Sequence, residues 1–180
     1  YRDRSLKYLQ PSSVKRRLAL ISHLFSIARK EWGFKIDNPV LDVRKPKLPE
    51  PRDRRFTDKE LKLLIYGNKT SEKLKLIIQI ALETGMRQGE ILRIKDEDLI
   101  NQSLFIPVTK TKPRTIPLTK KAFDLIKSTT LPFGLSGIAV SKQFHKLCKF
   151  YNIRDAKFHD LRRQALTNFM KDKKLSVAET

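Results

Sequence analysis

Thr84-Gly85-Met86-Arg87-Gln88-Gly89-Glu90-Ile91-Leu92 breaks the middle of the chain with two glycines, a cation and a carboxylate in close order. Upstream, Leu74, Ile77, Ile78 and Ala81 or Leu82 recur at helical steps from about Ser71 to Glu83, so Gly85 falls where a helix needs a left-handed residue to stop. Met86 to Leu92 then predicts a further short helix, on which Arg87 and Glu90 stand one turn apart on the same face.

Working outward, Thr57-Asp58-Lys59-Glu60 reads as a capping box that opens a helix running to Tyr66. Downstream, Ser103-Leu104-Phe105-Ile106-Pro107-Val108 and Thr115-Ile116-Pro117-Leu118 read as two short strands around the basic turn Thr109 to Arg114, and their prolines suit edge positions. Thr119 caps a helix with Ala122, Leu125 and Ile126, and Leu131-Pro132-Phe133-Gly134 breaks it. Ser141 begins another helix with Phe144, Leu147 and Cys148, and a last one starts near Phe158-His159-Asp160 and carries Leu161, Ala165, Phe169 and Met170. Near the start, Ser12 or Ser13 caps a helix whose apolar positions are Val14, Leu18, Ile21, Phe25, Ala28 and Trp32, ending at Gly33. From Asn38-Pro39 through Pro51 the prolines and charges forbid continuous helix and favour an extended connection. The expected fold class is mainly α with a small antiparallel β-sheet.

Composition narrows the function. In 180 residues, Lys and Arg total 39 against 19 Asp and Glu, a formal charge of +20. Such an excess favours an anionic partner. A membrane-surface helix would concentrate the cations on one face, yet here they occupy Lys15 to Arg17, Arg52 to Arg55 and Lys110 to Arg114 alike, so nucleic acid is the expected partner. No apolar run reaches the roughly 18 residues of a membrane span, and the first residues lead into no signal-like stretch. One cysteine and three histidines make neither a disulfide framework nor a zinc pattern. No metal or cofactor is expected, and a reducing, cytoplasmic setting is. Without an initial Met, the chain reads as a piece of a longer protein.

Three basic stations sit at structural transitions beside apolar residues: Arg87 with Glu90, the turn Thr109-Lys110-Thr111-Lys112-Pro113-Arg114, and His159-Asp160-Leu161-Arg162-Arg163. Singly, each has an ordinary explanation. Arg87 would offset a helix dipole, Lys110 would keep a sheet edge soluble, Glu90 would pair on the surface, and His159 would sit at a helix start. Jointly and in this order, Thr84 to Leu92, then Lys110 with Arg114-Thr115-Ile116-Pro117-Leu118, then His159-Asp160-Leu161-Arg162, resemble the tyrosine recombinase (phage integrase) family over roughly Phe56 to Met170. The segment before Phe56, with Asn38-Pro39-Val40, is similar to the second half of the family's helical core-binding domain.

The resemblance implies residues 1–44 as a partial core-binding domain, 45–55 as a proline-rich basic linker and 56–180 as a catalytic domain truncated before its nucleophile. It implies site-specific DNA strand cleavage and rejoining through a 3′-phosphotyrosine. Arg87 and Arg162 would grip the scissile phosphate's nonbridging oxygens, Lys110 would protonate the departing 5′ oxygen, His159 would assist proton transfer, and Glu90 would orient the cluster. Arg16, Lys45, Lys47, Lys112, Arg114 and Arg163 are further candidates for contact with DNA. Partners implied are duplex recombination sites, further copies to a tetramer, and an accessory directionality factor, in a bacterial, phage or mobile-element setting.

One feature departs from the pattern. The tyrosines are Tyr1, Tyr8, Tyr66 and Tyr151, all before His159, whereas the family's nucleophile follows the His-x-x-Arg helix. The 180 residues are therefore expected to bind DNA without cleaving it. Tyr151 and Cys148 are expected to pack at a helix face rather than react, and Trp32 and Phe25 to pack a helix face rather than stack on bases. The rivals are a noncatalytic architectural DNA-binding protein of the same fold and a basic module with chance matches.

Overall fold

Helix ends at Lys30 and does not resume until Asp58 in the computed structural model, which describes residues 1–50, 52–107 and 112–173. The chain divides into two compact units, Tyr1–Arg52 and Asp53–Thr180. Among the described residues no helix is long and apolar enough to cross a membrane.

In the first unit, α1 (Arg2–Leu6) precedes α2 (Pro11–Lys30). The long helix starts at Pro11 rather than at Ser12 or Ser13, with Gln10 as its cap, because the proline ring presets helical φ at the first position, where no N–H is needed. Val14, Leu18 and Ala28 are its buried residues. Asn38 donates to both the backbone oxygen and the hydroxyl of Ser22 while accepting from the Val40 N–H, which ties the Asn-Pro-Val turn to α2. Trp32 does not extend the apolar face as expected. The helix has ended before it, and Trp32 is 58% exposed with its ring edge-on to Phe34.

The second unit is organised around one helix. α3 (Asp58–Tyr66) opens with the expected capping box: the Glu60 N–H donates to Thr57 and the Thr57 N–H to Glu60. α4 (Glu72–Thr84) follows, then the short α5 (Gln88–Ile91), both as read from the sequence. Strands β1 (Leu99–Ile100), β2 (Ser103–Ile106) and β3 (Arg114–Pro117) form an antiparallel sheet in that order. α6 (Lys120–Lys127), α7 (Gly137–Phe150) and α8 (Phe158–Lys173) complete it. α4 packs against α3, α5, α6, α7 and α8, and its Ile77, Ile78, Ile80 and Ala81 are wholly buried. Glu72 and Lys73 are exposed at its start, so its apolar surface is broad without being complete. Each isoleucine removed from water contributes on the order of 1.5–3 kcal/mol.

Besides α1, which the sequence reading did not expect, and the earlier start of α2, two further elements differ from it. β1 was not expected, because two residues give no alternation to read; Asn101, at φ 54°, makes the left-handed turn that pairs Ile100 with Ser103. α7 starts at Gly137, where Ser136 accepts from the Ala139 N–H, and not at Ser141, since Val140 already belongs to the buried face. As for the prolines, Pro117 lies in β3, an edge strand, and Pro107 lies just beyond the central strand β2.

Tyr151 is built into this unit. Its hydroxyl accepts from the Lys69 N–H at 3.2 Å, and a Cβ on Gly67 would stand 2.0 Å from that oxygen. Only a glycine lets the α3 end and the Tyr151 ring approach so closely. Cys148 is buried, and burial pushes its thiol up to about 11, so the thiolate needed for reactivity is not populated at neutral pH.

Candidate functional site

Three segments far apart in sequence meet at the carboxyl end of α4. The first is the helix stop itself: Gly85 takes φ 62° and ψ 16°, and its N–H donates to the Ala81 oxygen. The left-handed turn sends Met86 into the core, 2% exposed, and leaves Arg87 as the N-cap of α5. The carboxylate of Glu90, three residues on, reaches back to the Arg87 N–H at 3.0 Å. This satisfies one of the amides a helix start leaves open. The same back-bonding opens α3 through Glu60, the 3-10 turn Asp96–Asp98 through Asp98, and α8 through Asp160.

The second segment is β3. Arg114 lies opposite Ile106, on the same strand face as Ile116, which packs against the core. Its guanidinium binds both Glu90 oxygens, Nη2 to Oε2 at 3.0 Å and Nη1 to Oε1 at 3.3 Å. Arg87 Nη1 adds a bond to Oε1 at 3.0 Å. With the Arg87 N–H, the Glu90 carboxylate thus accepts four hydrogen bonds, filling the lone-pair sites a carboxylate has. The Glu90 side chain is 2% exposed, against 40% for Arg87 and 33% for Arg114. Burial opposes its charge, but the Arg114 fork, the Arg87 amide and the Arg87 guanidinium outweigh it and hold the carboxyl below its ordinary value.

The third segment is α8. Leu161 and Ala165 are fully buried, and a Cβ on Gly85 would touch Leu166, Phe169 and Ala165. Arg162 is thereby set against the α4 stop, where Nη1 donates to the Gly85 oxygen. Burial, then the like charge of Arg87, lowers the Arg162 pKa from its ordinary value; Arg114 adds to that and Glu90 opposes it. Three guanidiniums and one carboxylate therefore share one electrostatic neighbourhood, with two positive charges in excess.

The other candidates fall as follows. His159 is exposed at the start of α8, one turn before Arg162. Lys110 lies outside the described residues. Arg16 is exposed on α2, Lys45 and Lys47 are exposed in the proline-rich stretch, and Lys112 and Arg163 are exposed in the second unit. Arg114, a candidate for DNA contact, pairs with Glu90 and keeps a third of its side chain exposed. Strand alternation carried that signal: Arg114 shares a face with Ile116 and Leu118, and a charge on an inward face needs a counter-charge. The Gly85 carbonyl as partner of Arg162 had no such signal in the sequence. Among the described residues, no group of His, Cys, Asp and Glu is placed to hold a metal ion.

Residues 54–131 match the model of the phage integrase family. The chain is 36% identical to a shufflon-specific DNA recombinase of Escherichia coli, over 99% of this chain and 51% of that protein. It is 32% identical to the integrase of Escherichia phage P2, over 66% of this chain and 35% of that one. The chain thus spans about half the length of the first and about a third of the second. Among solved structures, lambda integrase bound to DNA gives a TM-score of 0.79 at 23% identity, covering 96% of this chain and 70% of that one. The integrase of transposon Tn1549, in complex with circular intermediate DNA, gives 0.76 at 17% identity, covering 97% and 71%. The sequence likenesses, over residues 54–131 for the family model and over 99% of this chain for the shufflon-specific recombinase, relate the chain to the phage integrase family of tyrosine recombinases, and the structural likenesses show the shared fold.

Proposed function

We propose that the chain is the DNA-binding and phosphate-activating part of a site-specific recombinase that cuts and rejoins DNA through a 3′-phosphotyrosine. One observation carries this reading: Arg87 and Arg162, 75 positions apart, meet at the stop of α4, with Arg87 paired to Glu90 beside Arg114 and Arg162 bound to the Gly85 oxygen. Two uncompensated positive charges suit a phosphodiester, whose one negative charge grows toward two as the phosphorus becomes pentacoordinate. Guanidinium forks stay charged and match pairs of nonbridging oxygens, so Arg87 and Arg162 are the residues to hold them. Lys110 is the proposed acid for the departing 5′ oxygen, with His159 assisting proton transfer. Glu90 has no lone pair left for the substrate and orients the arginines.

In this reading residues 1–44 belong to a helical core-binding domain, 45–55 to a basic linker and 56–180 to the catalytic domain. Arg16, Lys45, Lys47, Lys112 and Arg163 would contact DNA phosphates. The recombining form would be a tetramer on two duplexes, with a directionality factor as accessory partner, in the cytoplasm. The 180 residues hold no tyrosine after Tyr151, and Tyr151 is engaged with Lys69, so this chain would grip DNA and leave it uncut.

Titrating a labelled duplex with the chain at several salt concentrations tests the proposal. Binding should weaken linearly on a log–log plot, with a slope near −0.9 for each phosphate neutralised. A nicked duplex incubated with the chain should yield no covalent adduct. Absence of salt-dependent binding contradicts the DNA reading, and a phosphotyrosine adduct contradicts the assignment of Tyr151 to structure.

A further inference from the structure

We propose that Arg114 is a positioning residue for Arg87, acting through Glu90 rather than by touching the phosphate. The proposal rests on the phosphate-binding reading above. Glu90 is a buried carboxylate shared between two cations from different elements: α5 supplies Arg87 and β3 supplies Arg114. The sharing is unequal. Arg114 gives Glu90 two guanidinium nitrogens, one to each oxygen, whereas Arg87 gives one guanidinium nitrogen and its backbone N–H.

This inequality has a chemical consequence. A buried carboxylate left with one cation draws it into a two-pronged pair, since that geometry best replaces lost water. By occupying both oxygens, Arg114 prevents Glu90 from taking the whole Arg87 fork, and Arg87 remains half turned to solvent at 40% exposure. It also fixes the Glu90 rotamer from the sheet side, while the Arg87 amide fixes it from the helix side. Arg114 is thus a competitor that keeps Arg87 available to an incoming anion. Because it arises on β3, the same contact ties the sheet to the α4 stop.

The test is a double-mutant cycle on the 180-residue chain, read by NMR from the Arg87 and Arg162 Nε–Hε signals as inorganic phosphate is added. Arg114→Gln should weaken phosphate binding about tenfold, roughly 1.4 kcal/mol. In a Glu90→Gln background the same change should cost less than about twofold, because the intermediary is already gone. Losses that multiply across the two backgrounds would mean that Arg114 meets the anion itself, and would overturn the proposal. Arg114→Lys keeps the charge without the fork and should recover only part of the affinity; full recovery would reduce Arg114 to a long-range charge and also overturn it. This variant carries the test should Arg114→Gln fail to fold, as judged by amide dispersion and thermal unfolding. If phosphate moves neither arginine signal in the unmodified chain, the phosphate-binding reading itself falls. If it moves both and the cycle is multiplicative, the Arg114 role alone is lost.

Discussion

Glu90 is the residue at which charge, burial and geometry meet, and its acidity gives a measurable consequence. Its folded pKa lies below the ordinary carboxylate value, as does that of Glu60, where the Thr57 amide and Arg54 outweigh burial. A carboxyl depressed on folding stabilises the fold above its unfolded pKa and loses that contribution as pH falls through the folded value. Unfolding free energy should therefore be flat near neutrality and drop below about pH 4.3, the unperturbed glutamate value. Glu90→Gln should shallow the drop, and an unchanged acid limb in that variant would contradict the account of Glu90. At Gly67, replacement by alanine forces a Cβ against the Tyr151 hydroxyl and the Leu63 carbonyl, which should cost about 1–3 kcal/mol in denaturant unfolding. At this scale the sequence was informative for side chains with a local rule. Gly85, Arg87 and Glu90 announce a helix stop and an i,i+3 pair, but nothing local joins Arg162 to the Gly85 carbonyl or Arg114 to Glu90. Those contacts depend on how β3 and α8 come to rest against α4.

Helices with a cap and a long apolar face were legible as elements, as were the short α5 and the β2–β3 hairpin, whereas α1 and β1 were not. α3 and α4 begin at Thr57 and Ser71 because each hydroxyl accepts from the amide three residues on, a signal readable from four letters. β1 has only two residues, and α7 begins before Ser141 because Ser136 offers an earlier cap to the same buried face. Thr57→Ala should cost about 1 kcal/mol in unfolding free energy, leaving the core intact. Ile77→Ala, at a wholly buried position of α4, should cost about 2–5 kcal/mol. A smaller loss at Ile77 than at Thr57, in the same denaturant series, would refute α4 as the centre of the unit. α4 also carries the site, since the turn that ends it aims Arg87 one way and the Gly85 carbonyl toward Arg162.

For the whole chain, a charge of +20 suits an anionic partner, and the arginine cluster suits the grip of a single phosphate on it. These effects separate by mutation. In a longer form that carries a tyrosine after the His159–Arg162 helix, Arg87→Ala or Arg162→Ala should abolish cleavage while leaving most duplex affinity, because many other cations would contact phosphates. Composition pointed toward an anionic partner but not to which cations meet. The meeting of residues 87, 114 and 162 required the folded chain. Its most direct measurement is crystallographic: the 180-residue chain crystallised with tungstate, a heavy analogue of phosphate located by its anomalous signal. The account predicts one tungstate within about 2.7–3.2 Å of guanidinium nitrogens from both Arg87 and Arg162. Anions scattered over surface lysines, with none shared by that pair, would contradict it.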